Sequence, residues 1–178
     1  MLAYVFSHRP ASDADAQAYE DALRRFHSEL AGGRPAGFVA STTYRFDDGY
    51  SDWYLVEDSA ALDVLNEAAV SGARAASHDA AARMATWGSG KLLSLAQGEA
   101  DLDALHEIAF AKPTGMAYSD LYTMTAQFTT AAGVALWRRM MVLGPPPEFC
   151  LVARSPVNLP AQFTPESRTR RPSPRTRR

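Results

Sequence analysis

Phe38-Val39-Ala40-Ser41-Thr42-Thr43-Tyr44-Arg45-Phe46-Asp47-Asp48-Gly49-Tyr50-Ser51-Asp52-Trp53-Tyr54-Leu55-Val56 alternates on both sides of a short turn, and this stretch decides the fold. Side chains two apart on a strand share a face, so Phe38, Ala40, Thr42, Tyr44 and Phe46 stand against Val39, Ser41, Thr43 and Arg45. Asp47-Asp48-Gly49 supplies the hairpin turn. The returning strand sets Tyr50, Asp52, Tyr54 and Val56 against Ser51, Trp53 and Leu55. Two aromatic-rich faces therefore lie back to back, and a charged residue such as Asp52 or Arg45 facing inward would need a partner or a polar ligand.

Upstream of the hairpin, the stretch from Met1 to Phe6 reads as a strand that Arg9-Pro10 closes. Ser12 or Asp13 then caps a helix whose apolar positions Ala16, Tyr19, Leu23, Phe26 and Leu30 step by three or four residues, with Gly32-Gly33 at its end. Downstream, Asp58 or Ser59 caps a helix through Ala68, and a second helix covers about 77 to 87. Gly88 and Gly90 break that helix before a strand from Lys91 to Ala96. Residues 1–97 thus give the order βαββαβ of a ferredoxin-like split sandwich, an α+β fold with one face of its sheet uncovered by its own helices.

The chain then restarts: Ile108-Ala109-Phe110-Ala111-Lys112-Pro113 echoes Val5-Phe6-Ser7-His8-Arg9-Pro10. After a linker from Gln97 to Leu105 the pattern predicts a strand, a helical region from Tyr118 to about Met141 that Gly133 can interrupt, and a strand from Glu148 to Arg154. Residues 98–160 form a partial strand-helix-strand unit packed on the first. Residues 161–178 are read as a disordered, arginine-rich tail, because Thr164 onward offers no apolar anchor.

Composition excludes several classes of function. At 178 residues, with 47% hydrophobic and 21% charged residues, the balance is that of a globular protein, and no apolar run reaches the ~18 to 20 residues of a membrane span. Met1 to Phe6 lacks the basic flank and cleavage site of a secretory signal, and the single cysteine points to a reducing cytoplasm. A single cysteine permits no internal disulfide and no cysteine-built zinc site, and Cys150, inside Phe149-Cys150-Leu151-Val152, reads as a buried, inert thiol. Six arginines against Glu166 give the last fourteen residues +5, which leaves −7 on the body from a formal total of −2. An acidic body disfavours nucleic acid, except weakly through the tail, where Ser173 could also be phosphorylated. Sixteen arginines to two lysines, with abundant alanine, matches the composition of a GC-rich bacterial genome.

Short motifs offer little chemistry. His8, His27, His78 and His106 show no paired ligand spacing, so no metal site and no cofactor are expected. Ser77-His78-Asp79 holds the three residue types of a hydrolase triad, yet adjacent side chains diverge. Trp87-Gly88-Ser89-Gly90-Lys91 lacks the first glycine and the hydroxyl residue of a phosphate loop. Aromatic rings on a sheet face are the better lead, since they line apolar ligand pockets.

The βαββαβ order with aromatic, alternating middle strands resembles the dimeric α/β-barrel superfamily, among them antibiotic-biosynthesis monooxygenases, EthD-like proteins and chlorite-dismutase-like proteins. The resemblance covers 1–97 well and 105–154 loosely, and rests on pattern rather than a signature motif. It implies two ferredoxin-like sheets meeting face to face, within one chain or in a homodimer, and a sheet-lined cavity for a small apolar or aromatic molecule. The resemblance carries over no catalytic residue; read from the residues themselves, a cofactor-free oxygenase or isomerase would use His8 or Tyr54 as base, with Trp53, Tyr44 and Arg45 holding the substrate. The rival is a noncatalytic, self-associating scaffold whose cavity is filled by side chains; the sequence leaves open whether the protein is an enzyme.

Overall fold

The alternation of 38–56 resolves into two antiparallel strands, β2 (Phe38–Phe46) and β3 (Gly49–Val56), in the structure, a computed structural model that describes residues 1–172. Before them lie β1 (Leu2–Pro10) and α1 (Ala16–Gly33). After them come α2 (Ser59–Ala69), α3 (Gly72–Ala82) and β4 (Ala85–Gly98). Asp15, rather than Ser12 or Asp13, caps α1, its carboxylate accepting the Ala18 amide at 2.7 Å; Asp58 caps α2 through the Ala61 amide at 3.0 Å. The helix α1 ends beyond its two glycines at Arg34, left-handed at φ 40°, whose amide closes on the Leu30 carbonyl.

Two compact units divide the chain: Met1–Gly90 joined by Pro172, and Lys91–Arg171. The division falls inside β4, whose first part belongs to the first unit and whose remainder belongs to the second. In the first unit the strands lie in the order β4-β1-β3-β2. This is the split βαβ arrangement, with β3 antiparallel to both neighbours. The register pairs Tyr4 with Tyr54, Phe6 with Asp52 and His8 with Tyr50, and sets Ser41 and Thr43 of β2 opposite Tyr54 and Asp52. Strand parity then puts all of these on one face, against Tyr19, Leu23, Phe26 and Leu30 of α1. The other face carries Ala3, Val5, Tyr44, Trp53 and Leu55, all of them buried.

Gly88 and Gly90 do not end a helix. They lie within β4, where a Cβ at Gly88 would collide with the Phe6 ring and one at Gly90 would come 2.7 Å from the Tyr4 hydroxyl oxygen. Two aromatic rings take the space that side chains would fill.

The second unit contains β5 (His106–Phe110), α4 (Tyr118–Thr129), β6 (Val134–Arg139), β7 (Phe149–Ala153) and β8 (Glu166–Thr169), in the order β8-β5-β7-β6-β4. The first four repeat the permutation of the first unit, with one short 3-10 turn, Ala161–Phe163, where α2 and α3 stood. The echo of β1 in β5 is thus matched by topology. Its core is formed by Ile108, Phe110, Leu121, Leu136, Phe149, Leu151 and Phe163.

Two expectations need correction here. The predicted helix to Met141 stops at Thr129; Gly133, at φ +76°, turns the chain, and 134–139 is a strand pairing with β4 and β7. Val134, Ala135, Leu136 and Trp137 are buried in succession, so no alternation marks the strand. The tail, read as disordered from 161, is ordered through residue 172: β8 pairs with β5, and Arg170, 1% exposed, grips Glu107 with Nε at 2.9 Å and Nη2 at 2.7 Å. Arg168 takes the other carboxylate oxygen at 2.7 Å. Burial pushes the Glu107 carboxyl up, but the two guanidiniums outweigh it and hold it low. Ser173 and the last three arginines lie outside the described residues.

Candidate functional site

On the helix-side face of the first unit, three strands and one helix deliver polar groups to a single carboxylate. Asp52, 3% exposed at the centre of β3, accepts Thr43 Oγ1 at 2.6 Å on Oδ1 and the Tyr54 hydroxyl at 3.1 Å on Oδ2. His27 Nε2 of α1 lies 3.3 Å from Oδ1, and His8 Nε2 of β1 lies 3.3 Å from Oδ2. Burial raises the proton affinity of Asp52, but His27 and then His8 outweigh it and hold the carboxyl below the usual range. The same negative charge, added to burial, raises Tyr54, Tyr19 and Tyr4.

A ring that holds its hydrogen on Nε2, beside the carboxylate, presents a lone pair at Nδ1, although neither Nε2 reaches hydrogen-bond geometry with Asp52. His8 Nδ1 faces the Tyr19 hydroxyl at 2.5 Å, and His27 Nδ1 faces Ser41 Oγ at 2.7 Å. One carboxylate thus stands beside two imidazoles whose Nδ1 atoms face a phenol and an alcohol. Ring packing holds them in place, His8 stacked on Tyr50 at 5.7 Å and His27 on Tyr54 at 5.1 Å.

Two cavities adjoin this network. The larger, about 500 Å³, is walled by Tyr4, Phe6, Phe26, Leu30, Tyr54 and His78 with residues of α2, and Asp63 and Asn66 are exposed among them. The smaller, about 90 Å³, is bordered by His8, Tyr19, Asp52 and Tyr54 beside Phe6, Phe26 and His78. Phe6, Phe26, Tyr54 and His78 line both. An apolar chamber with a few convergent polar groups is the ordinary form of a small-molecule site. Among the described residues no group of three His, Cys, Asp or Glu has a metal-binding arrangement.

The structure brings two of the five nominated residues together: His8 and Tyr54 both contact Asp52 and both border the smaller cavity. Trp53 and Tyr44 project from the opposite face and line neither cavity. Arg45 shares the face of Tyr54 but is half exposed and pairs with Glu20 at 3.1 Å, which also accepts the Tyr50 hydroxyl. Tyr19, His27, Ser41 and His78 were not nominated. Their signal was faint but present: His27 follows Leu23 by four residues and so falls on the buried side of α1.

No family model matches the chain, and no curated protein matches it in sequence. Its fold does match solved structures. A proposed monooxygenase from Fusobacterium nucleatum superposes with a TM-score of 0.63 at 10% identity, over 97% of this chain and 92% of that one. A second, from Lactobacillus acidophilus, gives 0.63 at 8% identity over 97% and 94%. An anthrone oxidase-like protein gives 0.58 at 10% identity over 96% and 90%. Identities this low establish shared architecture alone: the chain has the α+β, ferredoxin-like fold of these structures.

Proposed function

We propose that the first unit binds a small hydroxy-aromatic molecule in the 500 Å³ cavity and oxidises it with dioxygen, without a resident cofactor. The observation that carries this reading is the aromatic-walled cavity abutting a buried carboxylate that holds the His8 imidazole as a base. Two of the structural neighbours are named as monooxygenases and a third as anthrone oxidase-like, which supports the same chemistry. A scaffold would fill the space with leucine and phenylalanine; a void bordered by Tyr4, Tyr54 and His78 favours binding.

The parts divide the work as follows. Phe6 and Phe26 sandwich an aromatic ring. A substrate hydroxyl donates to the Tyr19 oxygen while Tyr19 passes its own proton to His8 Nδ1, and Asp52 stabilises the resulting imidazolium. Tyr54, its proton affinity raised by burial and by Asp52, stays a neutral phenol and orients rather than deprotonates. The smaller cavity, at ~30 Å³ per water, holds two or three solvent molecules or one dioxygen. Anion and dioxygen combine to a peroxide that loses water, so a methylene becomes a carbonyl and each turnover consumes one dioxygen and releases one water.

Anthrone is the probe, and oxygen uptake the measurement. The wild-type protein consumes one dioxygen per quinone formed, and His8→Gln lowers the rate by about 100-fold or more. Uptake no faster than the buffer blank, or a His8→Gln rate equal to wild type, overturns the proposal.

A further inference from the structure

Two features of the first unit are left unused by the cavity chemistry: the second imidazole on Asp52, and the alcohol it faces. We propose that Ser41, His27 and Asp52 form a separate nucleophilic centre that transfers acyl groups from small esters to water. Ser77-His78-Asp79, the triad of residue types contiguous in sequence, forms no such line; Ser77 Oγ donates to Glu29 instead, at 2.5 Å. Ser41, His27 and Asp52 lie on β2, α1 and β3, and only the fold assembles them.

The geometry runs from surface to core. Ser41 is half-buried, His27 is 9% exposed and Asp52 is 3% exposed, so the alcohol is outermost, the imidazole beneath it and the carboxylate deepest. Ser41 Oγ stands 2.7 Å from His27 Nδ1, and His27 Nε2 stands 3.3 Å from Asp52 Oδ1. His27 Nε2 lies within ion-pair distance of Asp52 without hydrogen-bond geometry, and with the ring hydrogen on that nitrogen Nδ1 is the atom that receives the Ser41 hydroxyl proton. Either imidazole nitrogen can act as base once the other is held. This ring is held by stacking on Tyr54 at 5.1 Å and by an edge contact to Phe26 at 5.9 Å. A nucleophile bonded to a base that is in turn oriented by a carboxylate is the arrangement activated serines require.

Atoms balance with water as the only co-reactant. Ser41 Oγ bonds to the ester carbonyl carbon as its proton passes to His27 Nδ1. The carbon–oxygen bond to the leaving alcohol breaks, and that alkoxide takes the proton from His27. Water then repeats the sequence on the acyl-serine, releasing the acid and restoring Ser41. The structure supplies an internal control in Thr43, whose hydroxyl donates directly to Asp52 with no imidazole between them.

The full-length protein is incubated with an alkyl fluorophosphonate, which traps activated serines, and the adduct is mapped by peptide mass; p-nitrophenyl acetate hydrolysis is followed in parallel. One adduct on Ser41 is expected, with Thr43 unmodified. Ser41→Ala abolishes the adduct, and His27→Gln slows labelling and hydrolysis by about 100-fold or more with folding verified by its melting transition. No adduct on wild type, an adduct mapped elsewhere, or undiminished labelling of a folded His27→Gln overturns the assignment.

Discussion

At the scale of single residues, Asp52 organises the helix-side face because one carboxylate serves donors from β1, β2, β3 and α1. Asp52→Asn replaces an acceptor by an amide whose N–H₂ must confront a hydroxyl or an imidazole N–H, and it leaves buried groups unpaired. We predict a loss of about 3 kcal/mol at pH 7, measured by denaturant unfolding. The sign of the pH dependence follows from the lowered proton affinity of folded Asp52. Its contribution is present above the unfolded carboxylate value near ~4 and fades as the pH falls toward the folded one, so wild type and Asp52→Asn converge in acid. Cys150 behaves oppositely: burial pushes its thiol up to about 12, so it should resist iodoacetamide at pH 8 in the native protein and react once unfolded. The buried cysteine was legible from sequence; for Asp52 the sequence said only that a charge turned inward, there or at Arg45, would need a partner. Nominating Trp53 and Tyr54 for one pocket was not sound, because neighbours on a strand point to opposite faces. His27 escaped notice since its partners, Ser41 and Asp52, lie 14 and 25 residues away.

Among elements, β1, α1, β2, β3 and α2 were readable because each carries its own periodicity or cap. β6 was not: a strand buried along successive residues resembles a helical run, and only Gly133 and the length of the segment argue otherwise. β8 was hidden for a different reason, since an arginine-rich segment looks solvated until a buried carboxylate 63 residues away is found to face it. Arg170→Ala strips one guanidinium from fully buried Glu107 and should cost about 3–5 kcal/mol, lowering Tm by on the order of 10 °C. Arg25→Ala, exposed on α1, serves as the comparison and should cost about 0.5 kcal/mol or less. Equal effects of the two substitutions in a thermal melt would contradict the anchoring role given to Glu107.

For the whole molecule, the strand permutation of the first unit recurs in the second, where a short 3-10 turn replaces two helices. The 500 Å³ cavity of the first unit is walled by α1, α2 and α3 together with the sheet, and the second unit has no counterpart of the last two. The order βαββαβ and the restart at β5 were legible; the location of the cavity was not, because alternation alone does not say which face of a sheet the helices leave hollow. The proposed oxidation requires that a small aromatic ligand occupy the helix-side hollow against the Asp52 network. A crystal structure of the protein soaked with anthrone tests it most directly. Ring density is expected between Phe6 and Phe26, with the oxygen turned toward Tyr19 or Tyr54. Density confined to the Trp53 face, or a helix-side hollow left empty at saturating ligand, would contradict it.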